Sequence, residues 1–354
     1  MWVYFYPSNT ETELKNAYIW EYVVPYLCFT ANTAGSTVKL QKTWTPTTVT
    51  LETSTDWKNW NTYTFGSTIT LSNIGDKVYW RNTSETDTWF NVGYSNNYCF
   101  VMSGSIDWSW DITSLLNKNF TNSLSTNYCF SYLFKWCTAL KTPPELPATT
   151  LSEWCYSYMF QNCSWLTITP ELPATTLAES CYGGMFYNCA SLKTFQSFMA
   201  TSLWPYCCQY MFYWCTGLEN IPSYLPATTL AGNCYYGMFY GCSSITTAPE
   251  LPATTLAENC YASMFYWCAS LTTLVRLPAT TLPNRCYQAM FVDCSKIKLS
   301  TSKTWEYQTA YRIPSSWSWS IWTDSLYYMF GGTWWTFTWT PTINTTYYTS
   351  NTIV

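Results

Sequence analysis

A unit of the form Cys-Tyr-x-x-Met-Phe-x-x-Cys begins at Cys129, Cys155, Cys181, Cys207, Cys234, Cys260 and Cys286. Its spacing is 26 residues five times and 27 once, the extra residue falling between Cys207 and Cys234. Each unit runs on through a leucine or isoleucine (Leu140, Leu166, Leu192, Leu218, Ile245, Leu271, Ile297). A Leu-Pro-Ala-Thr-Thr-Leu run follows from Leu146, Leu172, Leu225, Leu251 and Leu277, and one copy is eroded to Phe198-Met-Ala-Thr-Ser-Leu203. A repeated unit this short buries its apolar side only against its neighbours, so the pattern predicts a solenoid of stacked coils. Within a coil, Ile245 to Pro249 and its equivalents predict an edge-forming strand closed by proline, which has no N–H for the ladder. Apolar residues at i, i+4 and i+5 of Cys-Tyr-x-x-Met-Phe predict one turn of α- or 3₁₀-helix on the opposite side.

Coils stacked about 4.8 Å apart line up equivalent residues in columns. One column reads Trp136, Asn162, Asn188, Trp214, Gly241, Trp267, Asp293. Without its tryptophans it is Asn, Asn, Gly, Asp, the set that tolerates positive φ. A bulky residue held there costs on the order of 1–2 kcal/mol. The anomaly recurs at Asp56-Trp57-Lys58-Asn59, which resembles an Asp-Gly turn. It recurs again in 315–322 and 331–339, which resemble Gly/Ser linkers with tryptophan written in. Glycine numbers 13 of 354 residues against 22 tryptophans, about half its usual ~7% share. These observations suggest that many tryptophans derive from UGA codons that the source decodes as glycine, with Trp60 and Trp80, in strand-like contexts, genuine. The alternative is a truly Trp-rich solenoid, which UGG codons at Trp136, Trp214 and Trp267 would establish.

The unit Leu-Pro-Ala-Thr-Thr-Leu-Ala-x-x-Cys-Tyr-x-x-Met-Phe-x-x-Cys-x-x-Leu resembles the BspA-like leucine-rich repeats of bacterial surface proteins. The resemblance covers about Tyr128 to Ser300, with a period a few residues longer than the family's commonest. It implies strand and tight helical turn in alternation. It also implies a cell-surface or secreted location, binding of host or matrix proteins, and no catalysis. Phage-encoded relatives would instead be adhesion or decoration proteins on a particle.

Upstream, Ser36 to Leu40, Thr47 to Thr53, Ser67 to Leu71 and Lys77 to Arg81 read as short alternating strands punctuated by Gly35, Gly75-Asp76 and Asn82, which predicts a small all-β sandwich. The expected organisation is a poorly ordered lead-in (1–25), a β-sandwich domain (26–112), a leucine-rich-repeat solenoid of seven units (113–300), and a degenerate repeat with a C-terminal cap or tail (301–354). The degenerate repeat is Ser325-Leu-Tyr-Tyr-Met-Phe330, which lacks the cysteines.

Several function classes recede on composition. Charged residues are 10% of the chain and the net charge is -4, so no basic surface for nucleic acid is expected. Histidine is absent, which removes the commonest general base and metal ligand. No run of 18 apolar residues exists, since Tyr18 to Phe29 is interrupted by Glu21 and Pro25, so no membrane span is expected. Met1 to Thr10 lacks the pattern of a secretory signal, which suggests a fragment or another route out of the cell.

Of the 17 cysteines, 14 form two columns, led by Cys129 and Cys137. Column neighbours near 5 Å apart permit disulfides, yet parallel side chains do not point at one another, so free buried thiols are expected. No Cys-x-x-Cys pair supports zinc. Cys208, in the single doublet, reads as outward-facing. A further column holds Glu145, Glu171, Ser197, Tyr224, Glu250 and Arg276. Glu145 and Glu171 could flank calcium or act as an acid/base pair, but an ordinary solvated face is the expectation. Tyr156, Tyr182, Tyr235, Tyr261 and Tyr287 could form a carbohydrate platform, and beside Met and Phe at repeat spacing they are expected to be packing. The chain therefore reads as a non-enzymatic adhesion protein without metal or cofactor. Its weak binding candidates are Glu145, Glu171, Tyr224, Glu250 and Arg276 on the strand face, and its partner would be a host or matrix protein or glycan. The alternative is a phage virion structural or receptor-binding protein.

Overall fold

A computed structural model describes residues 26–42, 49–85, 97–109, 111–118, 122–315, 320–322, 324–335 and 340–354. The lead-in expected at 1–25 lies outside the described residues, as do 47–48 of the strand expected from Thr47. The N-terminal part contains β1 (Leu27–Ala31), β2 (Ser36–Lys42), β3 (Leu51–Ser54), β4 (Asn61–Thr62), β5 (Ile69–Leu71), β6 (Lys77–Asn82), β7 (Tyr98–Ser103) and β8 (Ile106–Ser109). They form two antiparallel sheets, ordered β4-β3-β6-β1-β8 and β5-β2-β7. Period-2 alternation buries Ser36, Val38 and Leu40 of β2 and Val78, Trp80 and Asn82 of β6. The sheets meet through Phe29 of β1 and Trp80 of β6, whose rings stand edge-on to Phe100 of β7 at 5.0 and 5.2 Å. Gly35 and Gly75 close turns at φ 75° and 87°, where a Cβ would strain the backbone.

In the repeats the expected helical turn is absent. The 3₁₀ stretch Ile112–Leu115 is the one helical element among the described residues. Instead, amides alternate between two jobs. Those of Phe130, Tyr132, Phe134 and Trp136 donate to the carbonyls of Cys155, Ser157, Met159 and Gln161 in the next unit. Those of Ser131, Leu133, Lys135 and Cys137 donate three residues back. With every second amide committed to a neighbour, no continuous helical ladder can close, and the segment becomes a ribbon of overlapping β-turns. Every second turn has positive φ at its third residue, 60° at Tyr132 and 65° at Trp136, as a type II turn requires. The same alternation runs to the last coil, where the Asp293 amide reaches the Gly331 carbonyl.

The opposite side is thinner than expected. Ile245 to Pro249 forms no strand. Units there are joined by single parallel bridges, such as Ile168 to Thr194, Thr194 to Asn220 and Tyr224 to Glu250. Prolines such as Pro170 and Pro249 supply no donor, which stops the ladder from extending. Strands of two residues or more appear where the C-terminal segment joins in. Thus β9 (Thr273–Leu274) and β10 (Thr281–Leu282) pair in parallel with β16 (Thr352–Ile353) and β13 (Ser320–Ile321). The sheet β12-β15-β11-β14 is built from β11 (Lys298–Ser300), β12 (Thr309–Ile313), β14 (Trp334–Trp335) and β15 (Thr345–Thr349).

One column of rings joins these parts. Phe100, Phe134, Phe160, Phe186, Phe212, Phe239, Phe265, Phe291 and Phe330 stack in sequence at centroid separations from 5.3 to 5.8 Å. The first ring belongs to β7 and the last to the degenerate unit. β7 and the residues after it therefore act as a coil preceding the first repeat: the Phe100 and Ile106 amides donate to Leu133 and Ala139. At the other end, Ser325 and Thr333 stand where the cysteines stood, and the Ser325 hydroxyl donates to nearby carbonyls as a thiol could not do as well.

Candidate functional site

The row expected on the strand face is there in part. Glu145, Glu171, Glu250 and Arg276 are exposed and Tyr224 is 50% exposed, while Ser197 is half-buried. Parallel bridges seat Glu145 beside Asp111 and Tyr224 beside Glu250. Arg276 is fixed differently, its amide donating to the Val354 carbonyl at 2.8 Å. Asp111 was not singled out from the sequence, although an Asp before a short apolar run is a capping signal. Its carboxylate accepts from the Thr113 amide at 2.8 Å as the cap of the 3₁₀ turn. Burial raises its pKa to about 6, and the charge of Glu145 pushes the same way. Among the described residues no three Cys, Asp or Glu side chains are grouped to hold a metal ion.

None of the 17 cysteines is in a disulfide. Those of the second column have a shared role. Cys137, Cys163, Cys189, Cys215, Cys242, Cys268 and Cys294 each place Sγ 3.0 to 3.1 Å from the carbonyl of the column phenylalanine one unit earlier. A thiol suits this place because it is small, apolar and still a weak donor. Burial pushes the thiols up, Cys189 and Cys260 to about 12, which keeps them protonated. Cys208 is fully buried rather than outward-facing. It takes the tyrosine place in its unit, and the same unit carries Phe198 where other units have leucine. The Phe198 ring lies 6.2 Å from Tyr235 and 5.9 Å from Phe195, so bulk lost at one column returns at another.

Tyr156, Tyr182, Tyr235, Tyr261 and Tyr287 are at most 1% exposed and do not form a surface platform. A different tyrosine row reaches the surface. Tyr187, Tyr213, Tyr240 and Tyr266 are half-buried and stack at 4.5, 4.7 and 4.6 Å. Four tyrosines directly after the column phenylalanine made this row legible in the sequence. Their faces are turned to one another, so solvent meets ring edges and hydroxyls.

The column containing the anomalous tryptophans has positive φ throughout, from 58° at Trp214 and Asp293 to 74° at Gly241, and Trp57 has φ 51°. Tyrosines share that conformation four residues earlier, at Tyr132, Tyr158 and Tyr210. Large side chains here lean over the next unit. A Cβ on Gly241 would come within 2.9 Å of the Trp214 ring, and one on Gly237 within 2.6 Å of Tyr210. Trp214 and Trp267 meet at 5.2 Å across that bare glycine. The position accepts both extremes of size because a large residue needs a small neighbour.

Comparison with known proteins returned no match among family models, curated proteins or solved structures.

Proposed function

We propose that this chain is a non-enzymatic surface or secreted binding protein, a leucine-rich solenoid preceded by a β-sandwich, that engages a host or matrix macromolecule along its strand side. The observation that carries the reading is the exposed row from Glu145 to Arg276, in which parallel bridges seat Glu145 beside Asp111 and Tyr224 beside Glu250. A repeated scaffold of this kind offers a long ordered surface at little conformational cost to the ligand. The residue types change along the row, from carboxylates through Tyr224 to a guanidinium, so one end of the surface differs chemically from the other. Immobilised full chain exposed to host-cell and matrix extracts should retain a partner whose binding falls at least about tenfold in a Tyr224→Ala, Glu250→Lys double variant. Equal capture by the variant, with its fold intact, would contradict binding by this face.

A further inference from the structure

The end of that row opens into a cleft of about 510 Å³ between Arg276 and the C-terminal strands. Arg276 and Arg312 both line it, together with Thr309, Ser315, Ser350 and Thr352. No Asp or Glu lines it among the described residues. The chain has 16 Lys and Arg in total and a net charge of -4, yet two of its arginines line this one concavity with no carboxylate beside them. Arg276 makes no ion pair among the described residues. Arg312 is held in place on the cleft wall, its Nη2 donating to Asn344 Oδ1 at 3.3 Å.

The walls are tied to one another. Tyr311 of β12 donates its hydroxyl to the Val275 carbonyl at 3.1 Å, and Ser315 donates both its amide and its hydroxyl to Leu277. β16 is paired with β9, which ends at Leu274, just short of Arg276. The cleft is therefore pre-formed, and a ligand need not order it.

We propose that this cleft binds an acidic saccharide, its carboxylate or sulfate held between Arg276 and Arg312 and its hydroxyls met by the serines and threonines. Guanidinium groups recognise such oxyanions through paired charge-assisted hydrogen bonds. The hydroxyl-rich lining suits a polyhydroxylated ligand better than an apolar peptide side chain, and the volume fits one or two sugar rings. The inference rests on the binding reading above for the face it occupies and adds the ligand class.

Titration calorimetry on the full chain tests it with five probes: a sialylated trisaccharide, a sulfated disaccharide, the neutral counterpart of each, and an acidic peptide of equal charge. Either or both acidic sugars should bind while the neutral counterparts do not, with affinity falling as salt rises. Arg276→Gln and Arg312→Gln, checked for an unchanged melting transition, should each weaken binding at least about tenfold. Should one variant misfold, loss in the other alone still supports the site. No heat from either acidic sugar at millimolar concentration overturns the proposal, and so does equal affinity in both folded variants. Tighter binding of the peptide overturns the saccharide class. Capture of a macromolecule through Tyr224 and Glu250 would survive any of these failures, so the two readings fail separately.

Discussion

At the scale of single residues, two features run against ordinary packing rules, and each gives a prediction. Trp136 sits at φ 65° and is 64% exposed, so it bears backbone strain with little burial to offset it. Trp136→Gly should raise stability by about 1 kcal/mol, read as a higher midpoint in urea. A lower midpoint would mean that the indole is held by contacts worth more than the strain. If the tryptophan column reflects recoded UGA, peptides of the protein made in its own source should carry glycine at 136, 214 and 267 by mass spectrometry, whereas tryptophan at all three would contradict recoding. The second feature is the buried tyrosine column, in which the hydroxyls of Tyr156, Tyr235, Tyr261 and Tyr287 lack hydrogen-bond partners. A buried unpartnered hydroxyl costs on the order of 1–3 kcal/mol, so Tyr261→Phe should stabilise. The reverse result would show that the hydroxyl is satisfied.

At the scale of elements, much of the architecture was legible in the letters, and the rest was not for definite reasons. Strands β2, β5 and β6 fall where alternation placed them, because side-chain alternation and sheet pleat share one period. The turn ribbon was misread as helix because apolar spacing reports which residues face inward, not where each amide donates. Cys208 was misread because the doublet hides that it stands in the buried tyrosine column, where the bulk of Phe198, 6.2 Å from Tyr235 of that column, offsets its small size. Restoring bulk with Cys208→Tyr alone should therefore destabilise by about 1–3 kcal/mol, and Phe198→Leu added to it should recover much of the loss. Additive losses in the double variant would rule out the compensation. The capping Asp111, which is bridged to Tyr26 on one side and Glu145 on the other, gives a pH signature. Its folded pKa of about 6 lies above the 3.8 of an ordinary aspartate, so the folded state holds the proton more tightly. Its contribution is complete below about pH 4 and is lost as pH rises through about 6, a change of about 2–3 kcal/mol. Asp111→Asn keeps the cap and should flatten that slope in denaturation curves taken from pH 4 to 7. An unchanged slope would locate the titration elsewhere.

At the scale of the whole molecule, one ring column runs from Phe100 in β7 to Phe330 in the degenerate unit, and the core is a single cluster of buried residues from β1 to β15. The two parts should therefore unfold together unless a break is introduced between coils. A stacked array also tolerates loss of a whole unit far better than loss of part of one, since each unit contacts only its neighbours. Inter-unit contacts recur at an offset of 26 residues, so removal of Cys234 to Asn259 takes out one full period and leaves every column aligned. The most direct measurement compares that deletion with removal of half as much chain from the same place, by thermal unfolding and small-angle scattering. Stacked units in register predict a cooperative, slightly shorter particle for the full-period deletion and failure to fold for the half-period one. Equal disruption by both would contradict the stacking on which the account depends.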